Sequence, residues 1–239
     1  MKILMLGHGG ANQKDRILEF ENLGHSLFAD PIYPPERSRL DQYARRWAVR
    51  MHSGPWVPRV NKDLLERSRG WPRVDLVWVE KAQYIKASTV QQLRSLIDCP
   101  IIHYTPDVAI EIEGTQNSPI FHDAISSYDI VVTTKDFEVD GYRARGARDI
   151  VLMEQAVSIS RLYPRRDVTP AHRSRIGFIG HCEKHYRELL SNLADTGLPL
   201  DVRGPGWQRL DRRLRPSNRR FVKGGNVGRE DYPRRVSGM

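Results

Sequence analysis

The sequence predicts an α/β fold in which two Rossmann-like domains each build a parallel sheet flanked by helices. Two observations lead to this prediction. Short aliphatic segments alternate with amphipathic ones along residues 1–160, and the alternation restarts after residues 161–175, which have the prolines and polar side chains of a linker. We therefore expect an N-terminal domain at 1–160 and a C-terminal domain at 176–239.

The first domain opens with a βαβ unit. Lys2–Gly7 is an aliphatic run closed by glycine, the next apolar stripe predicts a helix that ends at Gly24, and His25–Ala29 predicts a second strand. Residues 36–71, rich in arginine and aromatic residues, predict a helical insertion. Further strands are predicted at Val74–Glu80, Pro100–Thr105, Asp129–Thr134 and Asp149–Met153, and further helices at Phe137–Arg145 and at Ser88–Ile97, with Ser88 as N-cap.

The second domain has fewer predicted elements. A strand at Arg175–Gly180, a helix at Glu183–Thr196 and a strand at Pro199–Gly204 repeat the βαβ pattern, and only Phe221–Val222 suggests a further short strand. A nucleotide-binding α/β domain usually needs on the order of 100 to 150 residues. We therefore expect the second domain to be incomplete in this chain.

The net charge of +9 is concentrated at one end of the sequence. Residues 203–239 contain 11 Lys or Arg and 3 Asp or Glu, whereas residues 1–160 contain 20 and 21. A basic surface over the whole protein is therefore excluded. Because charge runs among Gly and Pro are usually solvated faces or disordered ends, nucleic-acid binding through this tail is the weaker alternative.

Cysteine content and hydropathy indicate the class of protein. Cys99 and Cys182 show no metal-ligand spacing, so we expect two buried thiols rather than a disulfide or a zinc site. The longest apolar runs are far shorter than the roughly 20 residues that span a membrane, and the N-terminus lacks the layout of a signal peptide. These features predict a soluble cytoplasmic protein without a membrane span.

A glycine-rich turn, Gly7-His8-Gly9-Gly10, follows the first predicted strand and precedes a helix. Such turns let a ligand approach the backbone, and the helix N-terminus favours an anion. The dinucleotide pattern G-x-G-x-x-G is not met, because Asn12 stands where it requires glycine. A phosphate or substrate loop, a turn without ligand and, less favoured, an NAD site remain open.

Two residues are candidate catalytic bases. His8 lies at the tip of the glycine turn, and imidazole titrates near neutral pH. Asp107 follows the strand Pro100–Thr105 at the carboxyl end of a parallel strand, where open α/β sheets place ligand contacts, although a loop-capping role is equally compatible with the sequence. Glu80-Lys81 ends its strand at the same edge, and we interpret it as a solvated pair.

The second domain offers a candidate diphosphate site. Gly180 and His181 precede a helix that carries Arg187, and the next strand is followed by Gly204 and Trp207. A helix N-terminus with an arginine suits a diphosphate, and the indole could stack on a base or pack the loop. For His181 and its helical neighbour His185 no third metal ligand is evident.

The order of these motifs resembles the CgeB-like (spore maturation protein B-like) group of glycosyltransferases, which have the GT-B fold. The resemblance runs from about residue 2 to 232 and is strongest at 128–207. It is carried by the segments 16–25, 74–85, 100–107, 126–157 and 177–207.

The resemblance implies an acceptor-side N-terminal domain and a donor-side C-terminal domain that face one cleft. The implied substrates are a nucleotide-diphosphate sugar and an unknown acceptor, with no cofactor and no obligatory metal. The implied contacts to the donor diphosphate or acceptor are Gly9, Gly10 and Asn12, and those to the donor are Gly180, His181, Arg187, Gly204 and Trp207. Two alternatives stay open: a noncatalytic binding or structural protein that keeps this fold, and a homo-oligomer in which a second copy covers an exposed sheet edge.

Overall fold

The protein is described here by a computed structural model that covers residues 1–110, 118–170, 176–198, 200–207 and 225–238. The contacts between residues divide the chain into two compact units, Met1–Ser158 and Ile159–Met239. Each unit contains a parallel sheet and α-helices. The predicted α/β class is therefore confirmed.

The first unit is built on a six-stranded sheet. Its strands are β1 (Lys2–Gly7), β2 (Ser26–Pro31), β3 (Leu76–Glu80), β4 (Ile101–Thr105), β5 (Ile130–Thr133) and β6 (Ile150–Leu152). Its helices are α1 (Ala11–Asn22), α2 (Arg39–Met51), α3 (Trp56–Ser68), α4 (Ala87–Leu96), α5 (Pro119–Ala124) and α6 (Val139–Ala144), with 3₁₀ turns at Ile125–Ser127 and Asp136–Glu138.

The strands lie in the order β2-β1-β3-β4-β5-β6, and all pairs are parallel. The chain moves from β1 to one neighbour, β2, and then crosses over to the other neighbour, β3. The gap between β1 and β3 is therefore the topological switch point of the sheet, the place where open α/β sheets bind ligands at the carboxyl ends of their strands.

Helices cover both faces of this sheet because alternate strand residues point to opposite sides. On one face Ile17 and Phe20 of α1 pack against a cluster that includes Met5 and Trp78. The other face is covered by helices that include α3, α4 and α5, which contribute these buried residues: Trp56, Val57, Val60, Leu64, Val90, Leu93, Phe121 and Ala124. Because both faces of the sheet are packed against helices, the strands whose carboxyl ends carry the candidate site are held in place.

The predicted N-cap of α4 is wrong. The cap position is Lys86, in extended backbone, and Ser88 lies within the first turn of the helix. The Lys86 N–H donates to Oδ1 of Asn61, at 2.8 Å, so a buried amide on α3 holds the chain where the helix begins. A long-range contact has replaced the local capping side chain that the sequence pattern favoured.

Two short elements of the first unit depart from the sequence prediction. Helix α5 was not predicted; it buries Phe121 and begins after Ser118, whose hydroxyl donates to the carbonyl of Gln83. The helix predicted at Phe137–Arg145 begins instead with a 3₁₀ turn. There the buried Glu138 carboxylate accepts two backbone N–H groups at 2.6 Å, which ties this turn to the segment after β4.

The second unit contains β7 (Ile176–Ile179), α7 (Lys184–Asp195), β8 (Leu200–Arg203) and α8 (Tyr232–Ser237), with β7 and β8 parallel. Helix α8 was not predicted. Its Arg234 pairs with Asp167 at 2.9 Å and its Arg235 with Asp231 at 2.6 Å, so these two basic residues are not the purely solvated charges that the tail suggested. The candidate strand Phe221–Val222 and the basic residues at 209–223 lie outside the described residues.

Three further expectations concern surfaces and burial. Cys99 and Cys182 are free but only half-buried, so the prediction of buried thiols was too strong. Among the residues the structure describes, no helix combines the length and the apolar character needed to cross a membrane. The strand β6 ends the sheet with Val151 and Leu152 exposed, and its cover by a second copy stays a prediction.

Candidate functional site

The loops after β1, β3 and β4 meet at the switch point and line an open cavity of about 440 Å³. Most of its lining side chains are polar or charged. The cavity is lined by His8, Gly10, Ala11, Asn12, Gln13, Arg16, Glu80, Lys81, Gln83 and Pro106. Of the residues that the sequence suggested for the first domain, His8, Gly10 and Asn12 line this cavity directly.

The glycine turn leaves the start of α1 open. Gly9 has φ +70°, in the region that favours glycine, and its N–H donates to Oε1 of Gln13 at 2.6 Å. Gly10 precedes the helix without a side-chain cap, and the first turn of α1 contains no acidic residue. A Cβ placed on Gly10 would meet no atom within 4 Å. The space in front of Gly10 is therefore available to a ligand.

A buried ion pair forms the floor of the site. The Arg16 guanidinium donates to both carboxylate oxygens of Glu80, at 2.6 and 3.0 Å, and lies 4.7 Å from the ring centroid of Tyr104. Glu80 is only 4% exposed, so the solvated Glu80-Lys81 pair that the sequence suggested is wrong. Burial acts to lower the pKa of Arg16, but the hydrogen bonds and charge of Glu80 outweigh it and raise that pKa.

Lys81 connects the two candidate bases. Its φ of +54° is uncommon for a residue with a side chain, and its ammonium lies 2.6 Å from the Asp107 carboxylate. The N–H of Asp107 donates to Oγ1 of Thr105 at 3.2 Å. The Asp107 carboxylate thus forms an ion pair with Lys81, and the Thr105 hydroxyl caps the backbone of this loop. The catalytic role of Asp107 stays a prediction.

The His8 ring packs edge-on against Tyr33, with ring centroids 5.0 Å apart. Although the residue as a whole is exposed, desolvation of the ring by its neighbours lowers the pKa of His8. The positive charge of Lys81 adds to this effect, while a hydrogen bond to the Lys81 backbone opposes it. The imidazole is therefore neutral at neutral pH and can accept a proton.

The second unit brings Gly180, Gly204 and Trp207 together. The Trp207 indole N–H donates to the Gly180 carbonyl at 2.8 Å, and the side chain is 1% exposed within the small core of this unit. Of the two sequence interpretations, packing of the loop is therefore the one that the contacts show. His181 is exposed and Arg187 half-buried, and the donor-binding role of this group stays a prediction.

His181, which precedes α7, and His185 in its first turn do not form a metal centre with their described neighbours. The His185 ring is tilted by 47° against the ring of Tyr186, with ring centroids 3.9 Å apart, and lies 3.8 Å from a Glu183 oxygen. Within the described ranges, no group of three or more His, Cys, Asp or Glu side chains is placed to hold a metal ion.

Sequence reasoning missed Gln13, Arg16 and Lys81 as parts of the site. Gln13 and Arg16 follow the glycine turn at helical spacing, which places them on the same side of α1 as Gly10. Glu80 is a charge at the end of an otherwise apolar strand, and a buried carboxylate requires a partner. These two signals mark Arg16 and Glu80 as candidate residues of the site, although their pairing depends on the strand order of the sheet.

Comparisons with known proteins bear on the fold. No family model matches the sequence, and no curated protein matches it. Among solved structures, an alpha-glucosyltransferase in complex with UDP and a 13-mer DNA containing a central A:G mismatch matches 89% of this chain, with 11% identity and a TM-score of 0.50. This chain spans 58% of the length of that glucosyltransferase.

Two response regulators are also found, with lower structural similarity. One, a two-component regulator from Clostridium difficile, is 12% identical over 67% of this chain and 88% of its own, with a TM-score of 0.32. The other, from Burkholderia pseudomallei, is 11% identical over 100% of this chain and 97% of its own, with a TM-score of 0.31. Scores this low support no conclusion. Of these three structures, the glucosyltransferase is the one whose score bears on the fold, and this chain has an α/β fold like that of the glucosyltransferase.

Proposed function

We propose that this chain belongs to a glycosyltransferase that uses a nucleotide-diphosphate sugar, of the kind found in the CgeB-like group that its motifs resemble. The observation that carries the proposal is the fold shared, over 89% of the chain, with a glucosyltransferase whose structure contains UDP. The position of the cavity at the switch point of the sheet supports a ligand site in the first unit.

The charges around this cavity favour the acceptor as its ligand. Arg16 is paired with Glu80 and Lys81 with Asp107, so each cation already has a carboxylate partner. A diphosphate needs uncompensated positive charge, whereas a hydroxylated acceptor needs paired donors and acceptors such as the amides that line the cavity, those of Asn12, Gln13 and Gln83. We assign the acceptor to this cavity and the donor diphosphate to the second unit.

His8 is the base in this proposal. The acceptor oxygen forms a bond to the anomeric carbon of the sugar, the bond from that carbon to the nucleoside diphosphate breaks, and the hydroxyl proton passes to the imidazole. The lowered pKa of His8 keeps the ring neutral and able to take this proton. Asp107 remains bound to Lys81 and holds the neighbouring loop in place.

Calorimetric titration with a panel of nucleoside diphosphates tests the donor part of the proposal. We expect at least one to bind; if none does so at millimolar concentration, the donor assignment fails for this chain. With a binding nucleotide identified, its sugar conjugates and a panel of glycan acceptors are assayed for transfer. His8→Gln should keep nucleotide binding and lower the transfer rate by roughly 100- to 10,000-fold.

His25→Gln is the matched control, because His25 follows the opposite end of α1 from the cavity, packs against Phe20 and does not line the cavity. It should leave the transfer rate unchanged. Full activity in His8→Gln would exclude His8 as the base without affecting the donor assignment.

A noncatalytic carbohydrate-binding protein with the same fold is the second candidate. It is favoured by the second unit, where Trp207 and the Gly180 carbonyl are bonded to each other rather than exposed to a nucleotide. A glycan array that finds binding, together with no nucleoside diphosphate bound in the titration, would support this candidate over the enzyme.

A further inference from the structure

Helix α2 carries a stripe of large apolar residues along one exposed flank. Leu40, Tyr43, Trp47 and Met51 recur at the spacing of one helical face, and their exposed fractions are 78%, 64%, 57% and 51%. Next to this stripe, Ala48 is buried and Ala44 half-buried against the core. The large residues therefore lie on the flank of the face that packs on the core, and more than half of each stays exposed.

Arginines border the stripe on the side that faces away from the protein. Arg39, Arg46 and Arg50 lie on the adjoining face of α2 and are exposed, and the Arg46 guanidinium lies 5.9 Å from the ring centroid of Tyr43. Within the part of the chain that the structure describes, these three guanidinium groups make no ion pair. They leave three uncompensated positive charges beside the apolar stripe.

The nearby carboxylates are already engaged. Glu36 pairs with Arg45, and Asp41 pairs with Arg59 of α3 while also accepting the Arg37 N–H. Neither is therefore available to neutralise the arginines beside the stripe. The positive potential of this face attracts an anionic surface rather than a basic one.

The indole of Trp47 packs against the backbone of Gly54. Gly54 has φ +100°, and a Cβ at Gly54 would come within 2.8 Å of the indole Cδ1. The glycine thus provides the space in which the ring rests. The ring therefore packs on the backbone at Gly54 while 57% of Trp47 stays exposed.

We propose that this face of α2 binds the surface of an anionic lipid bilayer. Trp and Tyr prefer the headgroup level, arginines bind acidic headgroups, and the aliphatic Leu40 and Met51 suit the boundary with the acyl chains. A nucleic acid would use the aromatic and basic side chains but would leave these two aliphatic residues in water. The helix lies in the plane of the interface, and this proposal does not depend on the proposed function.

Co-sedimentation with sucrose-loaded vesicles tests the proposal with the full chain. We expect binding to phosphatidylcholine vesicles that contain phosphatidylglycerol, little binding to phosphatidylcholine alone, and weaker binding as salt concentration rises. The triple variant R39Q/R46Q/R50Q should lower the affinity on the order of a hundredfold. The triple variant L40Q/W47Q/M51Q, which removes the apolar stripe, should abolish vesicle binding. Trp47→Phe should retain most of the binding.

The matched charge control is R73Q/R143Q/R148Q, which removes three exposed arginines elsewhere in the first unit. It should bind vesicles like the unchanged protein, and circular dichroism should show every variant folded. The proposal is overturned if anionic vesicles are not bound at low salt, or if this control loses as much affinity as the α2 variant. It is also overturned if L40Q/W47Q/M51Q binds normally, if it converts a dimer to a monomer in sedimentation, or if oligonucleotides bind where vesicles do not.

Discussion

The two units contain strand–turn–helix corners that are similar in sequence but differ in what lies in front of their glycines. In the first, β1 leads through Gly9 and Gly10 into α1, and the space in front of Gly10 is open. In the second, β7 leads through Gly180 into α7, and its carbonyl faces Gly204 and the Trp207 indole. The space in front of a glycine at such a corner can therefore stay open or be filled by another stretch of backbone. In the second unit it is filled by the loop that follows the next strand, β8.

Gly204→Ala should have the largest effect. Gly204 has φ +126°, and a Cβ there would overlap the carbonyl oxygen of Gly180, so the corner must open. We expect a loss of about 3 to 4 kcal/mol in the free energy of unfolding of the second unit. Hydrogen exchange read by mass spectrometry on peptides from 176–207 measures it. Unchanged protection from hydrogen exchange in these peptides would show that Gly204 and the Gly180 carbonyl are not packed tightly against each other.

Substitution of one arginine in each of the helices α1 and α7 should have different effects on stability, and the larger effect is expected for Arg16→Ala in α1. The loss of Arg16 leaves the buried Glu80 carboxylate without its cation, which should cost about 3 kcal/mol in the free energy of unfolding of the first unit. Arg187 lies in the matching part of α7 and makes no ion pair with any described residue. Arg187→Ala should therefore change stability by less than about 0.5 kcal/mol. Urea titrations measure the free energy of unfolding of both variants. Equal losses in the two would contradict the expected difference between α1 and α7.

Acid should destabilise the first unit before the second. Complete burial lowers the pKa of His103 on β4 from 6.5 to about 3, so between these values the unfolded chain binds a proton that the folded chain does not. The free energy of unfolding then falls with falling pH, by about 1.4 kcal/mol per unit and about 2 kcal/mol by pH 5. Hydrogen exchange at pH 7 and at pH 5, corrected for intrinsic exchange rates, would locate the loss.

His103→Leu should remove this contribution to the pH slope. His181→Gln is the control, since His181 is exposed on the second unit and loses little water on folding. A slope that survives in His103→Leu would assign the acid sensitivity to other groups.

Gly10→Ala should have the smallest effect on stability. The backbone at Gly10, φ −69°, suits alanine, and the added Cβ meets no atom within 4 Å. We expect a change of less than about 0.5 kcal/mol in the free energy of unfolding. The same methyl group would project into the cavity, so acceptor binding should weaken by about tenfold. A large loss of stability would show that the first corner is as closed as the second.

The sequence predicted the strands well because each is a short apolar run between glycine, proline or charged residues. Lys2–Gly7 matches β1, and the predicted Pro100–Thr105 contains β4 with one extra residue. Helix α5 escaped prediction because it has only six residues, and its two large apolar side chains, Ile120 and Phe121, are adjacent and show no helical period. The N-cap of α4 failed since the deciding partner, Asn61, lies on another helix.

For the candidate site, too, residues that lie close together in the sequence were predicted, and residues that only the fold brings together were not. His8, Gly10 and Asn12 were found because they lie in one turn, whose chemistry can be read locally. The Arg16–Glu80 pair was missed because its members are 64 positions apart and meet only since β1 and β3 are neighbours in the sheet. Likewise, the sequence left Trp207 open between stacking on a base and packing the loop, because its burial depends on the approach of one loop to another.

The same neighbour relation of β1 and β3 has a kinetic consequence. Ile3 pairs with Leu76, so this contact closes a loop that includes all of α2 and α3. Closing long loops is slow, and during synthesis β1 has only β2 as a partner until β3 has left the ribosome. The cavity between these strands therefore takes shape late. Substitutions that delay the docking of α2 and α3 should retard the appearance of binding-competent protein more than they change its final stability.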